Sequence, residues 1–71
     1  TESILVIDRD GKLHRIYCPF KAIVIISVGD FVEGSIVLVE AVKMTLDLND
    51  VFVVEGKAYF LIHFKIVLDE R

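Results

Sequence analysis

A chain of 71 residues forms one domain, and a domain of that size buries only about 60% of the surface its unfolded chain exposes; with 55% of the residues hydrophobic, one small core cannot hide them all. The net charge of −3, from 11 acidic and 8 basic residues, repels phosphate polymers and disfavours nucleic acid as a partner. No unbroken apolar run is longer than that of Ala22 to Ile26, far short of the roughly 20 residues that a spanning helix needs, and the single Cys18 cannot form an internal disulfide. These features predict a protein that stays off membranes, in a reducing, cytoplasmic setting. No basic segment leads into a single apolar block, so no signal peptide is expected, and a first residue Thr1 suggests trimming or excision from something longer.

The first predicted strand is Ser3 to Asp8, and Asp10-Gly11 after it signals a hairpin whose type I′ turn needs positive φ at both central positions. Strand two, Lys12 to Cys18, has mixed polarity and is stopped by Pro19, which has no N–H to give to a ladder. Strand three, Lys21 to Val28, is apolar on both alternating faces, with Ala22, Val24, Ile26 and Val28 on one and Ile23 and Ile25 on the other. After a compact bend at residues 29–34, strand four, Ser35 to Val42, is again nearly two-sided, broken only by Glu40. Strands of that kind are covered on both sides.

Leu46 to Asp50 reads as a short strand or irregular crossing with a turn signal at Asn49-Asp50. Val51 to Val54 and Ala58 to Phe64 then form a second hairpin around Gly56, and Ile66 to Leu68 can re-enter the sheet. No window shows helical spacing of apolar residues. The pair Phe31 to Val39 and Val53 to Leu61 echo one another, as hairpin grammar alone also produces. Five or six short strands with tight turns predict an all-β fold, a small antiparallel barrel of the SH3-like or a related kind.

Alternation along the last long strand puts Phe60, Ile62 and Phe64 on one face and Tyr59, Leu61 and His63 on the other. One set fills the core and the other needs a cover. The predicted interface is Ile23, Ile25, Val37, Val39, Tyr59, Leu61 and His63, an apolar face rimmed by charge. Its partner is a second copy of the chain, giving a homo-oligomer, or a larger protein. As a further alternative, Tyr59 and His63 would stack single-stranded nucleic acid bases with Lys57 and Lys65 nearby.

Glu40-Ala41-Val42-Lys43-Met44, preceded by Val28-Gly29-Asp30-Phe31-Val32-Glu33-Gly34, resembles the attachment motif of biotinyl carrier domains, Glu-Ala-Met-Lys-Met at a hairpin tip. The resemblance covers about a quarter of the chain and implies biotin as cofactor, amide-linked to Lys43. The loop between Val32 and Gly34 and the strand from Gly34 to Lys43 are each one residue shorter than in that family, and Val42 stands for a methionine. A one-residue change turns a strand over unless a bulge absorbs it. A solvated lysine at a strand end is therefore the first reading of Lys43, and a carrier lysine the alternative.

No metal site is expected, because His14 and Cys18, four residues apart on a strand, would lie about 13 Å from one another at roughly 3.3 Å per residue. Catalysis is not expected either: no spacing sets a base beside Cys18 or a serine, and the glycines build no phosphate cradle.

Overall fold

The computed structural model describes residues 2–68. Among these residues eight strands follow one another: β1 (Ser3–Ile7), β2 (Leu13–Tyr17), β3 (Phe20–Val24), β4 (Ile36–Val39), β5 (Ala41–Met44), β6 (Asp50–Val54), β7 (Lys57–Phe60) and β8 (Phe64–Ile66). A 3-10 turn, Leu61–His63, separates the last two. The chain is all-β, as the sequence predicts. Its strands form three small antiparallel sheets, ordered β1-β2, β4-β3-β8 and β5-β6-β7, and no closed barrel joins them among the described residues.

The first hairpin forms where Asp-Gly predicts it, with a different turn. Gly11 alone takes positive φ, at +82°, and its N–H donates to the Asp8 carbonyl at 3.0 Å. The loop thus has three residues, ending in one left-handed residue, which is the next commonest hairpin connection after the two-residue type I′ form. The Asp8 carboxylate secures it by accepting the N–H groups of Asp10 at 2.9 Å and Lys12 at 3.0 Å. The I′ signature of two consecutive positive φ values occurs instead at Glu55 (+50°) and Gly56 (+78°), between β6 and β7.

Strand three ends at Val24, earlier than the apolar run suggests. Beyond it the N–H groups of Ile25 and Ile26 both turn to the His63 carbonyl, at 2.8 and 3.3 Å, and strand alternation is lost. Strand four is divided at Glu40, whose N–H reaches the Val53 carbonyl at 2.8 Å. One continuous stretch therefore serves two sheets, as β4 beside β3 and as β5 beside β6.

The core is set by register. Phe20, Ala22 and Val24 point inward from β3, and the pairs Phe20↔Val39 and Ala22↔Val37 carry the β4 valines in with them. Phe52 and Val54 from β6 and Phe64 from β8 complete it. Phe52 is its centre, with ring centroids 5.4 Å from Phe20, edge to face, and 5.7 Å from Phe64. The Leu61–His63 turn breaks the alternation predicted through Phe64. Phe60 and Ile62 lie in solvent, while Phe64, two residues on, is buried.

Candidate protein-binding surface

The predicted interface is redistributed by this register. Val37 and Val39 are 8% and 0% exposed and belong to the core, so neither offers a surface. Tyr59, Leu61 and His63 are half-buried. Tyr59 and Leu61 pack on the core, and the Tyr59 ring stands edge to face with Phe31 at 5.5 Å. The Tyr59 ring is therefore packed against neighbouring aromatic rings and does not stand free on the surface. Ile23 is half-buried and Ile25 is exposed.

The neighbours that sequence reasoning passed over occupy the outward face. On β4, Ile36 and Leu38 are 57% and 51% exposed. They pair across the ladder with Ile23 and Lys21, and Ile23 pairs in turn with Lys65 of β8. Cross-strand partners share a face, so the outer face of the β4-β3-β8 sheet is an apolar patch of Ile23, Ile36 and Leu38, flanked by Lys21 and Lys65. On the first hairpin, Leu5, Ile7, Leu13 and Tyr17 form a second exposed apolar stripe. A third is the β5–β6 turn, where Leu46 is fully exposed and Leu48 largely so, beside Met44.

Lys43 lies inside β5, opposite Val51, while the tip of its hairpin is Leu46 to Asn49. Its Nζ donates to Glu2 Oε1 at 2.7 Å, and the other carboxylate oxygen accepts the Val42 N–H at 3.0 Å. Those two contacts, the lysine's first, hold the Glu2 carboxyl below its ordinary range; the same hydrogen bond raises the Lys43 ammonium above its own. A position inside a strand, opposite Val51, differs from the exposed hairpin tip of the carrier motif.

His14 Nε2 meets Asp8 Oδ2 at 2.6 Å. That contact first, and then the turn amides, hold the Asp8 carboxyl below its usual range. Burial pushes the Cys18 thiol up, away from the thiolate that nucleophilic or metal chemistry would use. Among the described residues no three His, Cys, Asp or Glu side chains converge as a metal site. Among the described residues no helix is long and apolar enough to cross a membrane. Compared with protein-family models, curated proteins and solved structures, the chain matches none.

Proposed function

We propose that this chain is a non-catalytic protein-interaction module, organised as a small, incompletely closed barrel of the SH3-like kind, that buries the outer face of its β4-β3-β8 sheet against another protein surface or a second copy. The barrel reading is supported by the way β4 and β5 form one bent strand that serves two sheets. The observation that carries the function is the exposure of Ile36 and Leu38, side by side with Ile23, on a regular sheet face. Removing such a patch from water contributes about 25 cal/mol per Å² of apolar surface, and contiguous patches of that kind mark interaction sites on soluble proteins. Lys21 and Lys65 at its border give the contact a cationic rim.

Sedimentation and apolar-dye binding of the wild-type protein test this reading. Dye binding, with self-association as concentration rises or without it, is the predicted result. A strictly monomeric species that binds no apolar dye contradicts it.

A further inference from the structure

The hydrogen-bonding parity of β3 fixes which side of β4 is open. Val24 N–H donates to the Ser35 carbonyl at 2.9 Å on one side, and Ile25 N–H to the His63 carbonyl at 2.8 Å on the other. In an antiparallel ladder, alternate residues turn their backbone groups toward the partner. Val37 and Val39 therefore bond β3, while Ile36 and Leu38 turn their N–H and C=O groups away from it. Among the described residues no strand lies on that side.

Further along the same chain that side is occupied. Past Glu40 it is β6 that pairs with β5, and β6 ends at Val54, where the Glu55-Gly56 turn leads away into β7. The place beside Ile36 and Leu38 is thus left as a groove of about 380 Å³, with Phe31, Val37 and Val54 among its lining residues and Glu40 and Glu55 as its charged ones. Glu40 is fixed there, because its Oε1 accepts the Gly56 N–H at 3.1 Å. On the other edge of β5, the side away from β6, the Val42 amide is sealed by the Glu2 carboxylate. Ile36 to Val39 carries no charge, proline or bulge of the sort that guards an edge strand.

We infer that the open edge of β4 receives a short extended segment of a partner protein, matched to the four residues of β4 and alternating apolar with basic residues. Its backbone would continue the sheet by bonding the N–H and C=O groups of Ile36 and Leu38. Its apolar side chains would meet the groove, and its lysine or arginine residues the carboxylates of Glu40 and Glu55. Charge selects this occupant over a second copy of the chain, since a copy's β4 would bring its own Glu40 and Glu55 to the same groove. This inference rests on the interaction-module reading but uses backbone edge groups, whereas that reading uses side chains of the outer face.

The test uses a blocked pentapeptide alternating Val and Lys, its counterpart alternating Val and Glu, and two copies of the Lys peptide N-methylated at the Val or at the Lys positions. Binding is followed by amide exchange and chemical shift in the protein. The Lys peptide should slow exchange at Ile36 and Leu38 at least about tenfold from a fast free-state rate. The Glu peptide should bind at least tenfold more weakly, and one of the two N-methylated copies should lose binding. Leu38→Pro, which removes only an outward N–H, should abolish binding that Leu38→Ala retains; the methylated peptides decide the matter if the proline variant does not fold. Four results overturn the inference: Ile36 and Leu38 amides already protected in the free protein; no binding of the Lys peptide at millimolar concentration; equal binding of both charges; or protection produced by protein concentration alone, which gives the edge to a second copy. Dye binding by the wild type alongside any of these would leave the interaction-module reading standing without this one.

Discussion

Leu48 occupies in the β5–β6 turn the place that Gly11 occupies in the β1–β2 turn. Gly11 N–H donates to the Asp8 carbonyl and Asp8 N–H to the Lys12 carbonyl; Leu48 N–H donates to the Thr45 carbonyl at 3.0 Å and Thr45 N–H to the Asn49 carbonyl at 2.8 Å. Each turn is clamped by its first residue's side chain, the Asp8 carboxylate on Lys12 N–H and the Thr45 hydroxyl on Asn49 N–H. Both closing residues take positive φ, +82° at Gly11 and +65° at Leu48. Glycine adopts that conformation freely, and leucine does not.

Leu48→Gly should therefore stabilise the fold. Relief of the left-handed backbone is worth about 1–2 kcal/mol, from which the greater chain entropy of glycine takes about 0.5–1 kcal/mol. A net gain of about 0.5–1 kcal/mol raises the melting temperature of a domain this small by several degrees. Thermal unfolding followed by circular dichroism checks it, and an unchanged or lowered midpoint counts against the strain.

Adjacent positions on β4 should behave in opposite ways. Val39 is fully buried opposite Phe20, so Val39→Asp places an unpaired carboxylate in the core and should unfold the protein. Leu38→Asp lies on the wet face and should leave the circular dichroism spectrum unchanged. Phe52→Ala, at the centre of the core, should cost about 3–5 kcal/mol, comparable to the whole stability of so small a domain.

Acid should loosen the turns. Asp8, Glu2 and Asp47 are all held below their ordinary values of 3.8, 4.5 and 3.8, by His14, Lys43 and the Thr45 hydroxyl respectively. A carboxyl whose folded value is lowered contributes its full stabilisation above the unfolded value and loses it as pH falls through the folded one. The melting temperature should hold from neutral pH to about 4.5 and decline below that. In Asp8→Asn the acid decline should be shallower, because one of the three groups no longer titrates; an identical slope would remove Asp8 from the account.

Glu2→Gln should weaken the seal on the β5 edge. The variant keeps an acceptor for Val42 N–H but loses the ionic contact with Lys43. Hydrogen exchange at Val42 should accelerate while exchange in β6 is unchanged. Protection at Val42 equal to wild type would show that Glu2 does not guard that edge.

Much of the fold was legible because turns carry local signatures. Gly11, Pro19 and Gly56 mark the ends of β2 and the two hairpins whose loops contain glycine. The inward face of β4 was not legible, since Ile36, Val37, Leu38 and Val39 are all apolar and nothing local separates one parity from the other. Register against β3 decides it, and that is a tertiary fact. The predicted interface thus picked Val37 and Val39, one residue away from the exposed Ile36 and Leu38. The break after Phe60 was equally silent: Phe60-Leu61-Ile62-His63-Phe64 reads as a strand, and only packing of Phe64 on Phe52 re-phases it through the 3-10 turn. At Lys43 the local word suggested a modified tip, while the partner that defines its setting, Glu2, lies 41 positions away in sequence.

The proposed interface depends most on the outward face of β4, and apolar-dye fluorescence of the wild type against the double variant Ile36→Asp/Leu38→Asp tests it directly. The predicted result is strong enhancement with wild type that is largely lost in a double variant whose circular dichroism spectrum is unchanged. Absence of enhancement in the wild type, or equal enhancement by the folded double variant, would contradict it.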